Sequence, residues 1–178
     1  SDSAVQAGTE AGMIFGLIGG METEDAMIRL VSLAQQTQFM FEGVTQAQFD
    51  MMSAEEQRSV ILENSLKVLD EMNTVEDNSV ATMQQLSTVM NEFAAGATGA
   101  NMSIAEMAAL SGTLVETGEQ TTRAGRGLKQ ILNRIATDTG GATTALNDFG
   151  VATTDVNGDM VGLTRIMDQL KERGWDEL

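Results

Sequence analysis

Three tetrapeptides of the form Ser/Thr-x-x-Glu/Gln commit this chain to short, individually capped helices: Thr45-Gln46-Ala47-Gln48, Ser53-Ala54-Glu55-Glu56 and Ser103-Ile104-Ala105-Glu106. In such a box the hydroxyl accepts from a backbone N–H three residues on. The Glu or Gln side chain reaches back to the N–H of the capping residue, so two orphan donors of a helix start are satisfied together. Val44 and Phe49 bracket the first box as a hydrophobic staple. The chain has no Pro, so its helices stop at Gly and at polar caps.

Between these signals the apolar spacing predicts a string of helices. The first runs over about 9–18 and stops at Gly19-Gly20. A second starts after Thr23, with Glu24 and Asp25 facing the positive end of its dipole and Met27, Leu30, Val31 and Ala34 as its apolar face. The helix opened by Ser53 places Leu62, Leu66 and Leu69 on one face. Another follows Asn78 or Ser79 with the stripe Met83, Leu86, Met90 and Phe93, and the Ala/Gly run 94–100 breaks it. The helix after Ser103 carries Ile104, Met107, Ala108, Leu114 and Val115 and ends near Gly118. Beyond Thr121 or Thr122 a helix presents Leu128, Ile131, Leu132 and Ile135. A short one over 142–149 stops at Gly150, a natural left-handed position. A last helix covers 163–171. The only strand signal is Val151 to Val161, where β-branched residues flank Asn157-Gly158, and it predicts one small β-hairpin. The expected fold is therefore mainly α, a multi-helix segment of Gly-punctuated helices with a hairpin near 151–161. An acidic helical lead-in is expected over 1–77, a helical region with the hairpin over 78–172, and a frayed tail over 173–178. No heptad persists long enough for one continuous coiled coil.

Composition narrows the chemistry. Without His or Cys, the commonest general base, the commonest metal ligand and every thiolate site are missing. Triad hydrolases, Cys–His proteases and zinc enzymes are excluded on those counts, and neither a catalytic residue nor a cofactor or metal is expected. The apolar fraction holds 13 Met and much Ala but only 6 Phe and 1 Trp, which predicts an adaptable core. Formal charge is −16, from 26 acidic and 10 basic residues. That sign disfavours sequence-independent nucleic-acid binding and anionic membrane surfaces, and no specific nucleic-acid binding is expected. The most apolar stretch, Ala11 to Met21, is about half the ~20 residues of a membrane-spanning helix and holds four glycines, so a short buried helix is expected there.

Candidate catalytic and metal patterns fall away one by one. Asp155, Asn157 and Asp159 begin like a calcium loop, but Met160 and Ile166 occupy the positions that require Gly and a bidentate Glu, so a polar turn is expected. Adjacent acids such as Glu24/Asp25 and Glu55/Glu56 sit at helix starts and serve the dipole. Glu63-Asn64-Ser65 lacks the adjacent Glu–Ser pair and the aromatic sugar platform of a muralytic site. The glycines form no nucleotide fingerprint. Gly125 and Gly127, inside a helical pattern, point to close helix–helix approach.

Charge is distributed unevenly. Ser1 to Glu92 holds fifteen acids and three bases, whereas Arg123, Arg126, Lys129 and Arg134 form a basic island with no acid among them. Arg123, Arg126 and Lys129, three apart, are expected near one another on the helix surface, away from Leu128, Ile131, Leu132 and Ile135. They are candidates for docking an acidic partner, such as the acidic first half of a neighbouring copy, against the plainer reading of a solvated helix face.

From about Asn78 onward, the order of features resembles the core region of phage tail tape-measure proteins. Asn101 to Leu110 looks like that family's capped helix of small residues and Leu. Thr122 to Leu128, continuing through Ile131-Leu132-Asn133-Arg134-Ile135-Ala136, is similar to its Ala-Gly, Leu-basic stretch, with Gly127 where a larger helix former is usual. Ala142 to Gly150, the turn at Asp155 to Gly158, and Met160, Leu163, Ile166 and Leu170 follow its ending. Residues 1–77 match only in general character. The resemblance implies a structural, non-enzymatic protein that lies in the lumen of the virion tail, sets tail length through its own chain length and leaves ahead of the genome. It implies self-association, often as trimers, and contact with tail tube, tail-tip or baseplate proteins and assembly chaperones. The alternative is an acidic helical adaptor of a non-viral assembly.

Overall fold

The computed structural model describes residues 2–175, with side chains from Val5 onward. Among these residues the chain forms nine α-helices and one 3-10 turn. They are α1 (Asp2–Ile18), α2 (Thr23–Thr37), the 3-10 turn Phe39–Phe41, α3 (Gln46–Met51), α4 (Ala54–Asn78), α5 (Met83–Gly99), α6 (Ile104–Glu116), α7 (Thr121–Thr137), α8 (Ala142–Asp148) and α9 (Leu163–Glu172).

Local chemistry starts and stops most of these helices as the sequence predicts, although α1 begins at Asp2, well before the expected start near 9. All three expected capping boxes are formed: Thr45 with Gln48, Ser53 with Glu56, and Ser103 with Glu106. A fourth, Thr82 with Gln85, opens α5, so that helix begins after Thr82 rather than after Asn78 or Ser79. Gly150 takes φ +83° after α8. There the Gly150 N–H bonds to Asn147 and the Val151 N–H to Leu146 (both 2.8 Å), closing a Schellman motif. Gly20 ends α1 in the same left-handed way, the Met21 N–H returning to the Gly16 carbonyl at 2.9 Å.

α5 is the central rod. Met83, Leu86, Val89, Met90, Phe93, Ala94 and Ala97 along it are all fully buried. Around it lie α2, α6 and α7, with α1 and α4 packed together behind α2 and α6. One apolar cluster runs continuously from Ala11 to Ile166, and a smaller one joins Ala7, Phe49 and Ile61. Met72, Met83, Met90 and Met107 are buried beside many alanines, the soft core that the composition suggests.

Further expectations need correction. The Ala/Gly run 94–100 does not break α5. The helix continues to Gly99 and turns only at Asn101, whose φ is +51°. Ala94, Ala97 and Ala100 are fully buried and Gly96 lies against Leu132, so tertiary packing outweighs the weak propensity of the segment. On α4 the buried face is Ile61, Ser65, Val68, Leu69 and Met72, whereas Leu66 is 39 % exposed.

Finally, the small β-hairpin at 151–161 is not present, and no strand occurs among the described residues. What remains is a polar turn closed by a single antiparallel bridge, Thr154 to Met160, with the Val161 N–H bonded to the Thr153 carbonyl at 3.0 Å. The reason is competition for backbone groups. The Gln169 side chain takes both the N–H and the carbonyl of Ala152, at 2.9 and 3.0 Å. The Val151 N–H serves the cap of α8, and Gly162 already caps α9, so the ladder cannot lengthen. Of the tail expected to fray, Arg173 packs its guanidinium over Gly150, and residues 176–178 lie outside the described residues.

Candidate docking surface

The basic island lies on α7. Leu128, Leu132 and Ile135 bury one side of this helix, and Gly125 makes the close contact with α5. A Cβ at Gly125 would meet the Glu92 Cβ at 2.6 Å and the Val89 carbonyl oxygen at 2.8 Å. Close approach therefore accounts for Gly125. It does not account for Gly127, which has no atom within 4 Å of where its Cβ would stand.

The helical twist divides the basic residues. Each step of three residues turns by about 60° relative to the last, so Arg123 and Lys129 point about 120° apart. Arg123, Gly127, Gln130 and Arg134, spaced four, three and four, form one stripe. Arg126 and Lys129 lie on another. Arg126 reaches α5, its Nε 3.2 Å from Glu92 Oε2. Arg123 sits 3.9 Å from Glu119, a loose exposed pair. Lys129 and Arg134 are exposed and have no ion pair among the described residues, and Arg134 also faces the negative end of its own helix.

An open groove of about 800 Å³ runs beside the first stripe, between the end of α6 and α7. Leu114, Leu128 and Ile131 line it, together with Arg123, Arg126 and the acid Glu119. Ile131, expected on the buried face, is 51 % exposed. The sequence marks the charges of this surface but not its apolar floor, because the floor exists only where α6 ends short of covering α7.

Among the described residues no group of three or more acids could hold a metal ion, and no helix is long and apolar enough to cross a membrane. The carboxylates with displaced protonation are structural. The Ser53 hydroxyl and N–H hold Glu56 below the usual range. The Ser103 N–H does the same for Glu106, helped by the Thr164 and Ser103 hydroxyls. Asp138 is lowered by the N–H and hydroxyl of Thr144 and by the Thr143 N–H. Asp155 is lowered by donors of its own turn, first the Asn157 N–H at 2.8 Å, then the Asp159 N–H at 3.0 Å. The calcium-like Asp155 segment thus uses its carboxylate to close a turn. Glu63 pairs with Lys67 at 3.1 Å on an exposed face.

Neither a curated protein nor a solved structure matches the chain. A family model described as "Phage-related minor tail protein" matches residues 1–176, nearly the whole sequence. The helical architecture, the acidic surface and that end-to-end match lead to one assignment: the chain belongs to the phage-related minor tail protein family.

Proposed function

We propose that this chain is a segment of a tail tape-measure protein, acting as ruler and scaffold material rather than as an enzyme. The observation that carries the proposal is the match to a minor tail family over residues 1–176, taken with the resemblance of the helices from Asn78 onward to tape-measure cores. The division into an acidic lead-in over 1–77 and a core-like region over 78–172 belongs to the same proposal. So do residence in the tail lumen, departure ahead of the genome, self-association, and contacts with tube, tail-tip or baseplate proteins and chaperones.

Physical character favours this role. A ruler works through the length of its chain, and a helix supplies about 1.5 Å per residue when drawn out. A core of Met and Ala holds together by adaptable, loosely specific contacts, which suits a protein that unpacks to pass through a tube. Strong negative charge keeps such a chain off the packaged nucleic acid.

The test is peptide mapping of purified tails, followed by in-frame deletion of whole helices. Peptides of this chain should map to a large, low-copy tail protein, and each deletion should shorten the tail by about 1.5 Å per residue removed. Tails of unchanged length would remove the ruler role. Peptides from a small protein absent from particles would favour the acidic adaptor instead.

A further inference from the structure

The α7 groove has a counterpart on α4. Glu63, Leu66, Asp70, Asn73 and Asp77 are spaced three and four apart and form one outer stripe of α4. Beside it an open groove of about 600 Å³ is lined by Ile18, Leu66 and Leu69 and by Glu63, Lys67 and Asp70, with Lys67 paired to Glu63 at 3.1 Å. Ile18 is 46 % exposed. Asp70 has no ion-pair partner among the described residues, as is true of Arg134 on α7. α4 packs on α1 and α6, α7 packs chiefly on α5 with α6 touching both, and the two grooves share no lining residue.

We propose that these two surfaces bind each other between copies: the basic α7 groove of one chain receives the acidic α1–α4 face of the next. The contact builds on the docking role of the basic island, but it does not depend on residence in a tail.

Charge and the exposed aliphatic side chains select this occupant. The α4 stripe carries Glu63, Asp70 and Asp77 against the single base Lys67, α7 carries Arg123, Arg126, Lys129 and Arg134 with Glu119 beside it, and both grooves leave large aliphatic side chains in water. Seven residues separate Glu63 from Asp70, about 10 Å of helix, and eleven separate Arg123 from Arg134, about 16 Å. Arg side chains are long enough to take up that difference. Joining unlike faces gives a head-to-tail contact, which closes into a ring or continues as a filament according to the angle between copies. Each face holds fewer residues than the roughly 20–30 of a standard interface, so the pairing is weak and needs concentrated protein.

Sedimentation of the whole chain at about 100 µM in low salt tests the contact, since this is the range in which small interfaces associate. Two variants carry reversed faces: Arg123→Glu with Arg134→Glu, and Glu63→Lys with Asp70→Lys. Alone, each should associate at least tenfold more weakly than the parent. Mixed in equal amounts they should recover association at near-parental strength, because the intact faces pair and the two reversed faces are again opposite in sign. High salt should weaken both the parent and the mixed pair. Circular dichroism establishes that the variants are folded. If either is not, Ile131→Glu and Leu66→Glu replace them by removing the apolar floors; mixed, these should recover a 1:1 pair and grow no further, because each brings one intact face. A monomeric parent, variants that associate like the parent, or a mixture that stays monomeric overturns the proposal. Peptide mapping of tails bears on residence alone, so the two ideas fail separately.

Discussion

The place an alanine Cβ would occupy at Gly125 lies 2.6 Å from the Cβ of Glu92, so α7 rests on α5 through glycine and not beside it. The backbone oxygen of Val89, 2.8 Å from the same point, cannot swing aside as a side chain can.

Gly125→Ala should therefore destabilise the chain by about 1–3 kcal/mol, as overpacking a tight contact does, despite Ala's better helix propensity. Gly127→Ala is the control. It meets open space on the same helix and should stabilise by up to about 1 kcal/mol. Urea unfolding of both variants measures the contrast, and equal effects would mean that α7 does not approach α5 this closely.

On α4 the structure ranks two leucines that the sequence treats alike. Leu69→Ala, at a 2 % exposed site, should cost about 2–5 kcal/mol. Leu66→Ala should cost less than about 1 kcal/mol in dilute monomer, because its side chain already meets water. Melting of both at low concentration checks the order, and a reversal would rotate the helix.

Two adjacent polar residues on the same helix should behave oppositely. Asn64 Nδ2 donates to the carbonyls of Met40 and Glu42 at 3.2 and 2.9 Å, tying the 3-10 turn to α4. Asn64→Ala strands both and should cost about 1–3 kcal/mol. Ser65 is fully buried, and its hydroxyl has no partner among the described residues. Ser65→Ala should be neutral or stabilising, by up to about 1 kcal/mol. Denaturant midpoints distinguish the two outcomes.

Acid should loosen the fold from its caps and turns. Glu56, Glu106, Asp138 and Asp155 are all held below the usual carboxylate range by donors in the folded chain. Their contribution is complete above the unfolded range near pH 4 and is lost as pH falls through the lower folded values. Glu106→Gln keeps an acceptor at the cap but removes one titration, so its stability should fall less steeply between about pH 5 and pH 2. Unfolding midpoints across that interval are the measurement. An unchanged slope would mean that Glu106 does not carry its share.

Sequence alone determined where most helices begin and end. A capping box links residues three apart, and a left-handed glycine closes bonds within six residues, so the required partners stand next to each other in the chain. Thr45, Ser53, Ser103 and Gly150 were legible for that reason, and Thr82-x-x-Gln85 carried the same signature. The uneven charge and the phage-tail character were legible too, since they depend on residue order and not on contacts.

Only the tertiary structure decided which faces are buried and which backbone groups are free. Leu66 and Ile131 match the helical period as well as their buried neighbours, but no helix covers them. Gln169 reached Ala152 from seventeen residues away and took the hydrogen bonds a hairpin needed. Buried alanines under α7 carried α5 through a run that propensity alone would have ended. In each case the deciding partner was distant in sequence, and the free energy of its contact exceeded the local preference of the chain.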